Sequence, residues 1–245
     1  MLLKRRELLR RLFAEYLGSL LLAAIVIGSG IAAQSLSPHA VGLELFENAA
    51  ATGVGLFVLI LTFGSISGAH FNPVISFVDA IFGGMSWGTA WSYLTAQVAG
   101  CASGAVLANL MYSRSAVSIS MNHRATLAHG LSEVVATAGL VLVIFALAKT
   151  GRSSLAPAAV GAYIACAYFF TSSTSFANPA IVVGRMFSNT FAGISPSSAP
   201  LFVGAEVVGG VVGFALLKVL YPGVTPSQAS RVTVAHDGLA SEGTS

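Results

Sequence analysis

The sequence has few charged residues, whereas apolar residues are abundant. Only 9% of its 245 residues are charged, against about 25% in a typical soluble domain. Residues counted as hydrophobic make up 55% of the chain. This balance excludes an ordinary soluble domain and predicts a protein of the lipid bilayer. The net charge of +3 gives no support for a nucleic-acid partner, because membrane topology accounts for the basic residues.

The sequence also has few residues suited to redox, metal or catalytic chemistry. Its two cysteines, Cys101 and Cys166, fall in apolar segments and have no ligand spacing around them. Neither a disulfide framework nor a zinc site is predicted, and no metal or other cofactor is expected. We find no paired acids and no nucleophile with a base at useful spacing, so the sequence does not predict an enzyme.

Six apolar stretches are each about 20 residues long, which is enough to cross the hydrocarbon core as a helix. They cover residues 12–33, 49–67, 88–112, 127–149, 156–175 and 201–221. The basic residues before the first stretch are typical of a secretory signal, but the apolar run is longer than a signal core and has no convincing cleavage site. We therefore interpret it as the first of six membrane spans.

The distribution of basic residues predicts the orientation, since Lys and Arg accumulate on the cytoplasmic side. With the amino terminus inside, the outer loops contain only Arg114 and Arg124. The inner segments contain Lys4, Arg5, Arg6, Arg10, Arg11, Lys149, Arg152, Lys218 and Arg231. The sequence thus predicts a multi-pass protein of the cell membrane (inner or plasma membrane) with both termini in the cytoplasm.

Two Asn-Pro dipeptides, Asn72-Pro73 and Asn178-Pro179, each open a short apolar stretch. Pro fits the first turn of a helix and Asn suits the position before it, so each dipeptide can start a helix. The stretches 74–83 and 180–189 contain about ten residues, which span about 15 Å, or half the apolar thickness. Each is predicted to be a half-helix. The segments before them, 63–71 and 171–177, are predicted to be extended at membrane depth.

The chain divides into two similar halves, each with an acid near the start of a span (Glu15 and Glu133), a second span, an Asn-Pro segment and a third span. Three spans is an odd number, so the second half must be inverted relative to the first. The predicted organisation is a basic cytoplasmic amino terminus at 1–11, a first half at 12–112, an outer loop at 113–126, a second half at 127–222 and a disordered cytoplasmic tail at 223–245.

In an inverted repeat, the two half-helices enter from opposite sides and their amino-terminal ends meet at the bilayer centre. These ends carry positive potential, and Asn72 and Asn178 would cap them while offering amide N–H groups to a passing molecule. A cation would be repelled, whereas water or a small hydroxylated molecule could form hydrogen bonds. The residues therefore predict passive conduction of neutral solutes.

These features resemble the aquaporin (major intrinsic protein) family. The resemblance covers about residues 10–222 and includes the paired Asn-Pro-Ala-type motifs, the Ser-Gly-Ala-His-Phe-Asn-Pro sequence before the first half-helix, and a Glu in the first and fourth spans. It implies an all-α membrane fold of six spans plus two re-entrant half-helices in an inverted repeat. It also implies one pore per subunit, usually in a homotetramer, and a central constriction at Asn72 and Asn178. Glu15 and Glu133 would hold the re-entrant loops by hydrogen bonds.

The sequence departs from the family pattern at two places. Val74 stands where the first motif usually has Ala, whereas Ala180 keeps the pattern, and we expect Val74 to trim or stiffen the central constriction. Ile181 stands where the filter near the outer mouth usually has an Arg. Arg185 follows one turn later on the same helix face. Its guanidinium could reach back into the pore or anchor the helix at the outer surface.

The remaining filter positions, carried over from the family, are Thr52, Ser175 and either Cys166 or Tyr168. The last choice stays open because a two-residue difference in the loop changes the register. His70 also has two interpretations. It could offer a donor or acceptor to the cytoplasmic half of the pore, or it could be a loop histidine with its hydrogen bonds satisfied.

The expected function is a passive channel for water and small uncharged solutes, with the lipid bilayer and these solutes as its partners. Polyols such as glycerol and metalloid hydroxides such as arsenous acid are the candidates, since each presents hydroxyl groups without charge. The alternative is a secondary transporter, which can also contain inverted repeats and broken helices. It would need an intramembrane group for coupling, and the candidates are Glu15, Glu133, Glu206 and His129.

Overall fold

The computed structural model describes residues 2–222, and its regular secondary structure is helical throughout. In chain order the helices are α1 (Leu2–Leu36), α2 (Val41–Ser67), α3 (Pro73–Phe82), α4 (Trp87–Met111), α5 (Leu127–Lys149), α6 (Ala156–Phe170), α7 (Pro179–Arg185) and α8 (Ala199–Leu220), with a 3-10 turn at Ser153–Leu155. Six of these helices are long and apolar enough to cross a membrane. The predicted class, an all-α membrane protein with six spans and two half-helices, is confirmed. The tail predicted at 223–245 lies outside the described residues.

Several predicted boundaries need correction. The segment before α3 was expected to be extended from residue 63, but α2 remains helical to Ser67. It ends there because Gly68 adopts a left-handed conformation (φ 88°) and donates its N–H to the Gly64 carbonyl. The second half-helix is shorter than the predicted 180–189. After Arg185 the chain turns outward, and the backbone carbonyls of residues 186 and 187 accept hydrogen bonds from the outer loop.

Both half-helices begin through the local chemistry of their Asn-Pro dipeptides. Asn72 and Asn178 have extended backbone conformations, and each is followed by a Pro in the first turn. The Asn72 side chain accepts a hydrogen bond from the Val74 N–H at 3.0 Å. Asn178 accepts one from the Ala180 N–H at the same distance. These caps satisfy backbone donors that would otherwise lack partners at a helix start in apolar surroundings.

Glycines allow corresponding helix pairs of the two halves to pack closely. In the first half, side-chain carbons added at Gly100 and Gly104 of α4 would collide with backbone carbonyl oxygens of α1. In the second half, carbons added at Gly209 and Gly213 of α8 would lie 2.7 and 2.9 Å from backbone carbonyl oxygens of α5. Helix α1 therefore packs closely on α4, and α5 on α8. A common cavity is lined by α1, α2, α5, α6 and the two half-helices.

Candidate functional site

The amino-terminal ends of α3 and α7 meet through two reciprocal hydrogen bonds. The Asn72 side-chain amide donates to the Ala177 carbonyl at 2.6 Å, and the Asn178 amide donates to the Phe71 carbonyl at 2.8 Å. Each amide thus ties one half-helix to the loop of the other while its oxygen caps its own helix. Since an Asn amide has two N–H groups, each retains a second donor beyond this cross-connection.

The loops before the half-helices share an unusual backbone conformation. Ala69 and Phe71 have φ of 49° and 48°, and Ser175 and Ala177, at the corresponding positions of the second loop, both have φ of 47°. Left-handed conformations of non-glycine residues cost on the order of 1–3 kcal/mol each and persist only where surrounding contacts hold them. The loops therefore depend on strong hydrogen bonds from the helices behind them.

Two buried carboxylates provide these hydrogen bonds. Glu15 of α1 accepts the His70 N–H at 3.0 Å and the Phe71 N–H at 2.7 Å. Glu133 of α5 accepts the Phe176 N–H at 2.9 Å and the Ala177 N–H at 2.7 Å. Both acids are fully buried. Their position matches the loop-holding role that the family resemblance implies, and neither carboxyl group lines the cavity.

A cavity is lined by both Asn residues, and its volume is about 60 Å³. One water needs about 10–15 Å³, so the cavity has room for a few waters. Apolar side chains form one part of the wall: Leu22, Val26, Leu56, Ile60, Leu140, Ile144, Val160 and Ile164. The two loops form another part, through residues 68–72 and 175–178; non-helical backbone at membrane depth is tolerated where it lines a watery path.

Only two of the four residues assigned to the central constriction line the cavity. Asn72 and Asn178 line the cavity, whereas Val74 and Ala180 do not. Val74 instead packs against α8, where a carbon added at Gly210 would lie 2.6 Å from its Cγ1. The expectation that Val74 narrows the cavity is therefore corrected. The larger residue is accommodated because a glycine faces it.

Four of the predicted filter residues, Thr52, Tyr168, Ser175 and Ile181, line the outer part of the cavity. Thr52 and Tyr168 lie on neighbouring helices, and their hydroxyl groups form a hydrogen bond of 3.2 Å. Ile181 is almost fully buried and presents an apolar surface. The Ser175 hydroxyl is buried and has no hydrogen-bond partner among the described residues. It is thus available to a molecule in the cavity.

Cys166, the alternative to Tyr168, lies on the outside of the bundle. Its side chain is exposed and it does not line the cavity. Two helix positions two residues apart point about 200° apart, so only one of the pair can face inward. The other cysteine, Cys101, is fully buried and also lies outside the cavity lining.

We expect a thiol-directed mercurial to leave solute flux unchanged in the wild-type protein, because its exposed thiol is remote from the cavity. A Ser175→Cys variant should become sensitive, since this position lines the cavity. The measurement is the swelling rate of proteoliposomes before and after treatment, with mass spectrometry to verify modification of Cys166. Inhibition of the wild type that disappears in Cys166→Ser would contradict the placement of Tyr168 in the filter.

Arg185 lies at the outer end of the cavity, which it lines. Its guanidinium carbon is 3.4 Å from the centroid of the Phe176 ring, and its Nε donates to the Ala192 carbonyl. Only 2% of the residue is exposed, so the side chain does not extend to the outer surface. The geometry favours the interpretation in which Arg185 reaches the cavity.

Arg124 of the outer loop is a second cation at this end. The sequence places it in an outer loop but does not indicate that it lies beside the cavity. It donates to the Gly193 carbonyl at 2.9 Å and to the Phe191 carbonyl at 3.0 Å. Its guanidinium carbon is 5.6 Å from the Phe176 ring centroid. Burial lowers the pKa of Arg124, while Tyr168 and Glu133 oppose that shift. No motif marks this loop residue, because its position depends on contacts with a distant loop.

His70 belongs to the residues that line the cavity, and its ring is held by neighbouring side chains. Its Nδ1 is 3.1 Å from the Ser76 hydroxyl, its Nε2 is 3.9 Å from an Asp79 carboxyl oxygen, and its ring stacks edge-on against Tyr93. The side chain has no exposed surface. His70 thus shares features of both interpretations, since it lines the cavity while its ring contacts Ser76 and Tyr93.

Six spans, two half-helices meeting head to head and a cavity beside their caps define a membrane channel. Comparison with known proteins agrees with this class. The family model described as "Major intrinsic protein" matches residues 2–184. The chain therefore belongs to the major intrinsic protein family, as the sequence motifs predicted, and is a passive channel for water and small solutes, not an enzyme.

Individual relatives extend the match over most of the chain. Aquaglyceroporin AqpS of Rhizobium meliloti is 46% identical over 220 residues, covering 90% of this chain and 94% of that protein. A glycerol uptake facilitator protein of Pseudomonas aeruginosa is 31% identical, covering 89% and 90%. The X-ray structure of the aquaglyceroporin from Plasmodium falciparum superimposes with a TM-score of 0.66 at 21% identity, covering 88% of this chain and 98% of the other. That structural likeness shows the fold alone.

Proposed function

We propose that this channel conducts small neutral hydroxylated molecules in addition to water, with polyols such as glycerol and metalloid hydroxides such as arsenous acid as its solutes. The observation that carries this proposal is the two-sided wall of the cavity. A polyol can place its carbon atoms against the apolar side chains and its hydroxyl groups against the loop backbone. Water gains nothing from the apolar part of this wall.

The composition of the filter supports solutes larger than water. Ile181 occupies the position where a guanidinium would otherwise project into the filter, and an apolar side chain cannot donate a hydrogen bond. Ser175 and the Thr52–Tyr168 pair remain as hydroxyl partners for a solute. Discrimination in a pore depends on its diameter and on the donors and acceptors that line it. Thr52, Tyr168 and Ser175 offer hydroxyl groups, Ile181 adds one aliphatic side chain and Arg185 adds a guanidinium donor to the same wall, a set that fits an uncharged solute with several hydroxyl groups.

We also propose that the channel excludes protons and cations. The positive ends of α3 and α7 face the same point, and Arg185 and Arg124 add two guanidinium groups near the outer end. Among the described residues that line the cavity, none is acidic. A cation would therefore lose its hydration without gaining a carboxylate partner.

The names of the relatives agree with this choice of solutes. One relative is called an aquaglyceroporin, and others are called glycerol uptake facilitators. These names and the two-sided cavity wall are the grounds on which we propose glycerol as a solute of this channel. Arsenous acid shares the same chemistry of neutral hydroxyl groups.

We further propose that the protein forms a homotetramer in the cell membrane and that both termini of each subunit lie in the cytoplasm. The orientation is supported by the excess of basic residues in the segments assigned to the inner side. Assembly is supported by the family resemblance and by the many large apolar side chains exposed on the surface of one subunit, which must face lipid or neighbouring subunits.

The transporter alternative finds little support in the geometry of its candidate coupling groups. Glu15 and Glu133 bind backbone N–H groups of the loops, which is a holding function. His129 lies at the outer end of α5, where its ring nitrogen contacts the Arg124 carbonyl. Glu206 is the remaining candidate, and its hydrogen bond to the second loop gives it the same kind of function.

Stopped-flow measurements on proteoliposomes containing the purified protein would test the proposed function. We expect permeability to water, glycerol and arsenous acid above that of empty vesicles, with a shallow temperature dependence and no response to imposed pH or sodium gradients. A continuous pore has a low activation energy, whereas an alternating carrier has a high one. Water permeability alone would overturn the proposed solutes, and gradient-dependent flux would overturn the channel in favour of the transporter.

A further inference from the structure

The two halves of the molecule differ at one buried position behind the loops. Gln97 of α4 lies three residues before Gly100, and Glu206 of α8 lies three residues before Gly209. These glycines form corresponding close contacts with α1 and α5. Gln97 and Glu206 are therefore structural counterparts, and both are fully buried. The first half thus pairs Glu15 with an amide, and the second half pairs Glu133 with another acid.

In the first half, the amide is a hydrogen-bond donor to the acid. The Gln97 Nε2 donates to Glu15 at 2.8 Å, while the same carboxylate holds two backbone N–H groups of the loop. Several hydrogen-bond donors therefore stabilise the negative charge of this single carboxylate. This arrangement is common for buried acids, which need hydrogen-bond donors to compensate for lost hydration.

In the second half, two acids hold three consecutive backbone N–H groups. Glu133 accepts those of Phe176 and Ala177, and Glu206 Oε1 accepts that of Asn178 at 2.9 Å. The other oxygen of Glu206 is buried and receives no N–H or O–H from the described residues. Glu133 and Glu206 are neighbours at this loop, because they accept the adjacent N–H groups of Ala177 and Asn178.

Two neighbouring carboxyl groups in a buried site cannot both be ionised without strong repulsion. A single proton resolves the conflict, because a protonated acid has one O–H donor and can still accept at its other oxygen. Arg185 of α7 is the cation that interacts with both acids. Both oxygens of Glu133 already accept backbone N–H groups, whereas Glu206 has an oxygen without a donor.

We propose that Glu206 is a positioning residue that holds Asn178 in the cavity wall as a neutral carboxylic acid, donating its proton to Glu133 in the way that Gln97 donates an amide proton to Glu15. Its carbonyl oxygen accepts the Asn178 N–H. Asn178 is in turn the residue whose side chain reaches across to the Phe71 carbonyl. This inference rests on the proposed role of Asn178, but its spectroscopic test does not depend on flux.

The test compares four proteins: the wild type, Glu206→Gln, Glu206→Leu and the reciprocal variant Gln97→Glu. Gln can accept the Asn178 N–H and donate to Glu133, so Glu206→Gln should keep glycerol and water flux within about twofold of the wild type. Leu can do neither, so Glu206→Leu should lose flux by at least about tenfold or fail to fold. Gln97→Glu should place a second neutral acid beside Glu15 and remain active.

Infrared difference spectra of the same proteins report the protonation of Glu206 directly, whereas a purely structural role would give no such signal. The spectrum of the wild type minus that of Glu206→Gln should show the carbonyl band of a protonated, buried carboxylic acid. The spectrum of Gln97→Glu minus that of the wild type should show a second such band.

Two results would overturn the proposal. Absence of the carboxylic acid band in the wild type minus Glu206→Gln spectrum would mean that Glu206 is ionised. Loss of transport in folded Glu206→Gln, together with gradient-driven flux in the wild type, would mean that this proton is used for coupling, which would overturn the channel as well. A missing band with normal passive flux would leave the channel function intact and remove only this inference.

Discussion

Replacing Ile181 by Arg should reduce glycerol flux by at least about tenfold, which corresponds to about 1.4 kcal/mol in the barrier. Ile181 lines the same cavity as the hydroxyl groups of Thr52, Tyr168 and Ser175. A guanidinium at this position would occupy part of a cavity of only about 60 Å³. Water should be affected less than glycerol because it is smaller. Stopped-flow swelling with each solute measures the ratio.

The Ile181→Gln variant is the matched control for size and charge. Gln is longer than Ile but uncharged, so a glycerol flux between those of the wild type and the Arg variant would assign part of the effect to narrowing. Ile181→Val should conserve or increase glycerol flux, because it removes one methylene group from the wall. Wild-type glycerol flux through a folded Arg variant would show that residue 181 does not lie at the narrowest point.

Replacing Asn178 by Asp should reduce the flux of all neutral solutes by about tenfold or more. A carboxylate can still cap α7, but it cannot donate to the Phe71 carbonyl, which the amide now reaches at 2.8 Å. Leaving a buried carbonyl without its donor costs about 1–3 kcal/mol, and each 1.4 kcal/mol is about tenfold in rate. The new negative charge would also offset the positive ends of both half-helices, so a cation leak should appear.

Flux assays and ion conductance in planar bilayers would measure these two effects. Asn189→Asp is the control, because Asn189 is exposed at the outer surface and its side chain is an acceptor, bonded to the Met121 N–H at 3.1 Å. A carboxylate can replace it there without losing a bond. A folded Asn178→Asp protein with normal neutral flux and no conductance would contradict the proposed barrier to cations at the centre.

The half-helices could be predicted because their signals are local. Pro73 and Pro179 fix the first turn, and the Asn before each supplies the capping oxygen within three residues of sequence. The end of α7 could not be predicted equally well. It depends on hydrogen bonds between the carbonyls of residues 186 and 187 and an outer loop more than 60 residues away along the chain.

The wall of the cavity was predicted only in part, since helix rotation is not a local property. Thr52, Ser175 and Ile181 line the cavity, and of the pair Cys166 and Tyr168 it is Tyr168 that does so. The rotation of α6 is fixed by its packing against α2, where Gly53 and Gly161 bring the two helices close. Val74 was misplaced for a similar reason, because the glycine that accommodates it lies on α8.

The sequence by itself determined the six spans, the two capped half-helices and the family, since apolar length and capping chemistry act over a few residues. Only the tertiary structure decided which side chains meet. It brought Arg185 and Arg124 to the same Phe176 ring, and it placed Glu206 beside Glu133 at the position where the first half has Gln97. These contacts join residues from different helices and loops, and burial makes their polar partners obligatory.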